Sequence, residues 1–243
     1  MQLASRKFRD RYGLYLIEGE HLLSEAIKCD IKIKDVFIRE DYGYQGTSGN
    51  PEPYVLSRKL FDGLAQTEAS QGIIAIVGKA ECGADSFFKA CAGKNILVAD
   101  RVRDPGNIGT MIRTADAAGY GGVMIIKGTA DVFSPKTVRA SSGSLFRMPF
   151  LFIDTPGEAV KSLKENGKKI VGACFDTETC YYDADLSRDI ALLIGNEAEG
   201  LCGELMSELD YKVKIPMAPA VDSLNAAVAA GILMYESKRK DKG

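Results

Sequence analysis

Three short polar segments in the second half of the chain carry the residue types that could do chemistry. Asn107 and Arg113 flank a glycine in the first segment, Glu197 follows Gly195 in the second, and the third ends in Ser223-Leu-Asn225. Each segment comes shortly after an apolar run of strand length. In open α/β sheets, ligands bind beyond the carboxyl ends of the strands. The sequence therefore predicts that the three segments contribute to one site.

The supply of histidine and cysteine limits the chemistry of this site. The chain has one histidine, His21, which lies in its first quarter, so a Ser-His-Asp triad or a His-rich metal site near the C-terminus is not expected. The six cysteines form no C-x-x-C pair, which favours reduced thiols and a cytoplasmic location. We expect no metal.

Each polar segment also has a plainer interpretation. The first could be only a glycine turn that packs a helix on a sheet, with Arg113 as a surface residue. The turn from Asp104 to Gly109 could hold a dinucleotide, but it lacks the G-x-G-x-x-G fingerprint, and the next predicted strand ends in Lys127 rather than an acid. This disfavours an oxidoreductase. Glu197 and Glu199 could complement a predicted helix N-terminus, and Ser223 could be an N-cap, with Asn225 in the first turn of that helix.

The pattern of apolar residues predicts a two-part α/β protein. Residues 1–78 are predicted to form a small α/β unit, with a basic helix from Leu3 to Arg11 and a loop over 41–53. Residues 79–94 are interpreted as a linker. From residue 95 to residue 243, strands alternate with helices, which is typical of a parallel sheet covered on both faces.

Charge and hydropathy narrow the class of partner. The net charge of −2 does not by itself indicate nucleic acid, and no apolar run approaches the ~18 residues of a membrane span. A basic cluster near the N-terminus and a second one over 127–147 would suit a local anionic ligand, although solvated surface is the alternative for each. The N-terminal cluster consists of Arg6, Lys7, Arg9 and Arg11.

Taken together, the three segments resemble a known family. The motifs Asn107-x-Gly109-x-x-x-Arg113-Thr-Ala, Gly195-x-Glu197-x-x-Gly200 and Ile215-Pro-Met…Ser223-Leu-Asn225 occur in this order. They resemble the signature motifs of the SpoU (TrmH) family of RNA ribose 2′-O-methyltransferases, over about Asn95 to the C-terminus. More loosely, the first eighty residues resemble that family's ribosomal-protein-like RNA-binding domain, through Arg6-Lys-Phe-Arg, Leu16-Ile-Glu-Gly and Gln71-Gly.

The resemblance implies a fold, a donor and an assembly. The C-terminal domain would be an α/β-knot, a mostly parallel sheet with a deep trefoil knot, beside a small N-terminal α/β RNA-binding domain. S-adenosylmethionine would be the methyl donor, and the active unit would be a homodimer. Family analogy favours ribosomal RNA over transfer RNA as substrate. A catalytically silent RNA-binding paralogue is the alternative, because Ala227 stands where many members have serine.

The resemblance also implies roles for individual residues. Catalytic or pocket-shaping roles would fall to Asn107, Arg113, Glu197, Ser223 and Asn225. Contacts to the donor would come from Gly195, Ile215 and Leu224. Contacts to substrate RNA would come from Arg6, Lys7, Arg9, Arg11, Arg139 and Ser141.

The implied chemistry is an in-line displacement at an activated methyl carbon. Such a reaction requires the ribose oxygen to be aligned with the methyl group and to lose its proton, and it requires no metal. Arginine is normally too basic to accept a proton, whereas its fork of N–H donors suits phosphate. We therefore expect Arg113 to hold a substrate phosphate rather than to act as the general base.

Overall fold

The computed structural model describes residues 2–44, 51–65, 70–80, 82–221 and 223–240. The N-terminal part forms a four-stranded sheet in the order β1-β4-β2-β3, in which β4 pairs antiparallel with both β1 and β2. Its strands are β1 (Leu14–Glu18), β2 (Ile33–Arg39), β3 (Tyr54–Leu56) and β4 (Ile73–Gly78), and its helices are α1 (Arg6–Tyr12), α2 (Glu20–Lys28) and α3 (Arg58–Asp62).

The rest of the chain forms a six-stranded sheet in the order β10-β8-β9-β5-β6-β7, with every neighbouring pair parallel. Its strands are β5 (Ile96–Ala99), β6 (Gly122–Ile126), β7 (Phe150–Ile153), β8 (Lys169–Ala173), β9 (Ile190–Ile194) and β10 (Tyr211–Val213). Its helices are α4 (Ala84–Ala90), α5 (Pro105–Ala118), α6 (Pro135–Ser141), α7 (Pro156–Glu165), α8 (Gly203–Met206) and α9 (Ala226–Lys240).

The strand order brings distant parts of the chain together at one edge. β5, β6 and β7 extend in one direction from β5, whereas β9, β8 and β10 extend in the other. The order therefore reverses between β5 and β9, and at such a switch point the loops that leave the two strands diverge and open a crevice. The first and second polar segments follow β5 and β9, so both lie at this crevice.

One hydrophobic core joins the small sheet to the large one. Successive residues of β5 point to opposite faces, with Leu97 in a core that also contains Tyr15 of β1 and Phe133. The rings of Tyr15 and Phe133 lie 5.0 Å apart. The other face of β5 contributes Val98 to a separate core. The predicted α/β fold with a parallel sheet is thus confirmed, and the small sheet shares a core with it.

The segment predicted to be a linker contains a helix. α4 lies within residues 79–94, and its Phe87 and the adjacent Cys91 are fully buried in the core that contains Val98. The paired phenylalanines of the sequence do not by themselves show that a sheet face is available to bury them. The interpretation of this whole segment as a linker is therefore wrong.

One predicted helix start is also wrong. α5 begins at Pro105, inside the turn from Asp104 to Gly109, because the Asp104 side chain caps it by accepting a hydrogen bond from the Asn107 N–H. No helix begins at Glu197 or Glu199, since α8 starts only at Gly203. The predicted loop over 41–53 lies partly outside the described residues, and the short strand β3 that follows it was not predicted.

Arg9 does not belong to an exposed basic cluster. Its side chain is 5% exposed and forms an ion pair with Asp131, whose side chain is 12% exposed. Its Nη1 also donates to the carbonyl oxygens of Leu3 and Ala4, both at 2.7 Å. Arg9 thus joins α1 to the loop after β6, and the expectation that it contacts RNA is wrong because its guanidinium is inaccessible.

Substituting Arg9→Met should lower the free energy of unfolding by about 3 kcal/mol, because the Asp131 carboxylate would be left buried without its partner. Urea denaturation measures this loss. The matched control is Arg6→Met, which removes an exposed pair with Asp10 and should cost about 0.5 kcal/mol or less. Equal losses in the two variants would contradict a special role for Arg9.

Candidate active site

The loop after β9 is folded tightly back on itself. Asn196 and Gly200 exchange backbone hydrogen bonds of 3.0 and 2.9 Å. A Cβ atom at Gly195 would lie 2.2 Å from the carbonyl carbon of Gly200, so only glycine fits at this position. The return of the loop fixes Glu197 at its tip, beside the segment that leaves β5.

The Glu197 carboxylate is held by three donors from that segment. Its Oε2 accepts from the backbone N–H of Arg103 at 3.1 Å, and its Oε1 accepts from the N–H of Asp104 at 3.3 Å. The side-chain Nδ2 of Asn107 also donates to Oε1, at 2.9 Å. The polar segments that follow β5 and β9 therefore meet at this carboxylate.

Asn107 connects this carboxylate to the third polar segment. Its Oδ1 accepts from Nδ2 of Asn225 at 2.9 Å. The Oδ1 of Asn225 accepts in turn from the N–H groups of Ala227 and Val228, at 2.9 and 3.2 Å. Asn225 thus caps α9, and the interpretation of Ser223 as the cap is wrong. The three side chains form one chain of hydrogen bonds, which we call the Glu197–Asn107–Asn225 network.

The electrostatics of the network keep Glu197 ionised. Burial raises the pKa of its carboxyl group, but hydrogen bonds from the Asn107 side chain and from backbone N–H groups outweigh burial, so its pKa lies below the usual value. The three donors that hold this carboxylate are all N–H groups. The carboxylate therefore acts here as a hydrogen-bond acceptor that fixes the orientation of the Asn107 amide.

Arg113 and Ser223 lie outside the network. Arg113 is six residues beyond Asn107 in α5, which places it about 9 Å further along the helix axis. Its side chain is exposed and has no hydrogen-bond or ion-pair partner in the described part of the chain. Ser223 is also exposed. Of the five side chains given catalytic roles by resemblance, the structure brings together Asn107, Glu197 and Asn225.

An apolar pocket lies beside the ends of β8 and β10. It contains two of the three residues assigned to donor binding, Ile215 and Leu224, whereas Gly195 is not among its lining residues. Met217 and Phe175 also line it and were not predicted, although each lies within a few residues of a strand end. The complete lining is Ala173, Cys174, Phe175, Val213, Ile215, Met217, Leu224 and Ala229.

Ala227 does not leave a gap in the network. Its side chain is 5% exposed and packs in the core shared by the two sheets. The neighbouring Ala230 and Leu233 are fully buried in the same core. The missing hydroxyl at Ala227 therefore does not create an unpaired partner for the polar residues of the site.

The residues expected to contact RNA fall into two groups. Arg6, Lys7, Arg11 and Arg139 are exposed. Ser141 is fully buried, and its Oγ donates to the carbonyl oxygen of Val138 at 2.8 Å. The expectation that the Ser141 side chain contacts RNA is therefore wrong.

Within the described ranges, no group of three or more His, Cys, Asp or Glu side chains could hold a metal ion, and no helix is long and apolar enough to cross a membrane.

The sequence matches two family profiles. The SpoU rRNA Methylase family matches residues 94–235, and the MRM3-like substrate binding domain matches residues 1–75. A 23S rRNA (guanosine(2553)-2′-O)-methyltransferase, RlmP, of Bacillus subtilis is 36% identical over 96% of this chain and 92% of its own length. A 23S rRNA (uridine(2479)-2′-O)-methyltransferase of Streptomyces viridochromogenes is 38% identical over 98% of this chain and 87% of its own.

Solved structures show the same similarity. The SpoU methyltransferase AviRb from Streptomyces viridochromogenes superposes with a TM-score of 0.88 at 29% identity, covering 99% of this chain and 94% of that one. An AdoMet-bound rRNA methyltransferase from Sinorhizobium meliloti gives a TM-score of 0.85 at 30% identity, covering 98% and 91%. With a family match over more than half of its length, the chain belongs to the SpoU rRNA methylase family.

Proposed function

We propose that this protein transfers a methyl group from S-adenosylmethionine to a ribose 2′-oxygen of ribosomal RNA. The observation that carries the proposal is the Glu197–Asn107–Asn225 network, which joins all three polar segments at the carboxyl edge of a parallel sheet. The apolar pocket lined by Ile215 and Leu224 shares the third of these segments. A polar network and an apolar pocket that share one loop suit a reaction between two substrates that meet at this edge.

The apolar pocket fits the methyl donor. Aliphatic and aromatic walls such as Leu224, Met217 and Phe175 suit the adenine ring of S-adenosylmethionine. When bound, the donor supplies a methyl carbon that is already activated by its sulfonium. Ile215 and Leu224 would hold it, together with the backbone at Gly195, by family resemblance.

The network and Arg113 supply what remains of the chemistry. The rigid Asn107 amide, fixed by Glu197 on one side and Asn225 on the other, would position the substrate ribose. Arg113 has an exposed guanidinium with no partner among the described residues, which leaves its donors available for a phosphate oxygen. Its distance from Asn107 suits a contact to the backbone of the RNA rather than to the reacting hydroxyl.

Ribosomal RNA is the substrate supported by the relatives. Two relatives, at 36% and 38% identity, are named as 23S rRNA 2′-O-methyltransferases. A relative at 31% identity, from Staphylococcus haemolyticus, is named only as a putative tRNA/rRNA methyltransferase. An enzyme that acts on ribosomal RNA would work in the cytoplasm.

We propose that residues 1–78 bind the RNA, with residues 95–243 as the catalytic part. The support is the match of residues 1–75 to a substrate binding domain and the exposure of Arg6, Lys7 and Arg11. Arg139 on α6 is a further exposed cation, and it lines a small cleft with Leu16 and Ile74 of the small sheet. These side chains would contact phosphates along the path to the site.

We also propose that the C-terminal part is knotted. The support is the resemblance of its three ordered motifs to the signature motifs of the family. Threaded chains are nearly absent from other folds, so the pattern of strands and helices alone would not suggest one.

A homodimer would form through the exposed side of α9. The small residues of α9 are not available for this interface, because Ala227 and Ala230 are buried in the core of the same chain and Gly231 faces Thr114 of α5. The opposite side of α9 exposes Val228 and Tyr235, which are 51% and 53% accessible and seven residues apart. These two side chains are our candidates for the interface.

Arg113→Ala should reduce single-turnover methylation of ribosomal RNA at least ~100-fold, because it removes a positioned contact that counts in the transition state. Its affinity for S-adenosylmethionine, measured by titration calorimetry, should remain near normal. Arg113→Lys should stay impaired, since a single ammonium cannot replace the two-pronged geometry.

Leu224→Ala is the control with the opposite expected effect. It shortens a side chain of the donor pocket and should weaken donor affinity about tenfold, with near-normal turnover at saturating donor. Near-normal turnover by well-folded Arg113→Ala would remove Arg113 from the site.

Replacing Arg6, Lys7 and Arg11 together by Gln should weaken RNA binding and flatten its salt dependence, because fewer counterions are released on binding. The slope of log affinity against log salt is negative, and it should become less negative by roughly 0.7 for each single-strand phosphate that the variant no longer neutralises. Exposed cations on α4 and α7, Lys89, Lys161 and Lys164, give a control triple that should leave the slope unchanged. An unchanged slope in the first variant would refute the assignment.

Light scattering at micromolar concentration should show a dimer for the wild-type chain and a monomer for a Val228→Glu, Tyr235→Glu variant, because two carboxylates would be buried unpaired at the seam. Val55→Glu alters another exposed apolar residue, 64% accessible on β3, and should leave the dimer intact. A monomeric wild-type protein would count against the whole assembly.

A further inference from the structure

Arg101, two residues after β5, has an unusual backbone conformation. Its φ is 54°, in the left-handed region that residues other than glycine rarely adopt. The preceding Asp100 still continues the sheet, because its N–H donates to the Ile194 carbonyl of β9 at 2.9 Å. The chain therefore turns sharply at Arg101, at the switch point between β5 and β9.

The guanidinium of Arg101 spans the crevice at this point. Its Nε and Nη2 reach the two carboxylate oxygens of Asp100, at 3.0 and 3.1 Å, and Asp100 is fully buried. Its Nη1 donates to Oε2 of Glu199 at 2.7 Å, and its Nη2 donates to the carbonyl oxygen of Gly200 at 3.2 Å. One planar guanidinium thus forms hydrogen bonds with the end of β5 on one side and with the loop after β9 on the other.

The backbone of Arg101 reinforces the same connection. Its carbonyl oxygen accepts from Nδ2 of Asn196 at 3.0 Å, and Oδ1 of Asn196 accepts from the N–H groups of Ala198 and Glu199. Glu197 lies between these bonded residues. Two residues after Arg101, the N–H of Arg103 is one of the three donors to the Glu197 carboxylate.

We propose that Arg101 is a positioning residue for the methyl transfer, and that Glu199 acts through it. Arg101 touches neither the Glu197 side chain nor the apolar pocket. It fixes the distance between the loop that carries Glu197 and the segment whose N–H groups and Asn107 amide hold that carboxylate. This inference rests on the proposed function of the same site and adds a requirement to it.

The ion pair with Glu199 allows a positioning role of Arg101 to be distinguished from a contribution to folding stability. Glu199 is 58% exposed, so as a surface acid it would contribute little to folding or activity. As a partner of Arg101, it holds the loop after β9 close to the end of β5. The two residues are 98 positions apart in the chain and meet only because β5 and β9 are neighbours.

The test uses Arg101→Gly, Glu199→Ala and the double variant in steady-state methylation of ribosomal RNA. Glycine suits the left-handed backbone, so Arg101→Gly removes the grip without adding strain. We expect kcat to fall about 10- to 100-fold in Arg101→Gly, the scale of a small misplacement of a reacting group, while the KM for S-adenosylmethionine stays within about twofold. Arg101→Lys should recover only part of the loss.

Glu199→Ala alone should lower kcat roughly three- to tenfold, and it should have no further effect in the Arg101→Gly background, because its action passes through Arg101. Glu199→Gln, which keeps an oxygen acceptor, should recover most of the loss. Glu208→Ala breaks an exposed pair with Lys164 and serves as the matched control, with kcat unchanged.

Thermal melts identify the folded fraction of each variant, and all assays are run well below the melting range. A normal kcat per folded molecule in Arg101→Gly would overturn the proposal and leave Arg101 as a structural pair for Asp100. Equal effects of Glu199→Ala in both backgrounds would overturn the claim that Glu199 acts through Arg101. A wild-type protein without methylation activity would instead contradict the proposed function itself.

Discussion

The pairing of β5 with β9 is the constraint on which the site depends. It places two loops nearly a hundred residues apart in sequence side by side at the carboxyl edge of the sheet. Every contact of Glu197 with the segment that leaves β5 follows from that adjacency, as does the grip of Arg101 on Glu199. Because the strands are buried on both faces, their register is firmly specified, and the loops inherit that precision.

Two buried ion pairs connect elements that the sheet alone would not hold together. Asp100 is fully buried beside Arg101, and Arg9 is buried beside Asp131. A lone buried charge is costly, so each pair is stable only with both partners present. One pair connects β5 to the Glu197 loop, and the other connects the first helix to the loop after β6. Asp100 therefore bears on the geometry of the site, and Asp131 on the stability of the joined elements.

Local signals in the sequence predicted much of the fold. Apolar runs located β5 and β9, and the order of three motifs indicated the family. Contacts between distant residues were not visible. Ser223 and Asn225 are both good caps, and only the hydrogen bonds of Asn225 show which one starts α9. Arg9 resembles any other surface cation until Asp131, 122 positions away, is found beside it. The helix in the predicted linker needed a sheet face that local pattern could not supply.

The core shared by the two sheets has a consequence for how a substrate could be chosen. Tyr15 and Ile17 of the small sheet pack in the same core as Leu97 of the large sheet and Ile112 of α5, and Arg9 adds an ion pair with Asp131. Two units so joined have little freedom to swing as separate bodies. The distance between the small sheet and the carboxyl edge of the large sheet is then constant. An RNA gripped by the small sheet would present one nucleotide, at a set offset from its anchoring point, to the carboxyl edge, so that selection rests on the shape of the RNA between the two points.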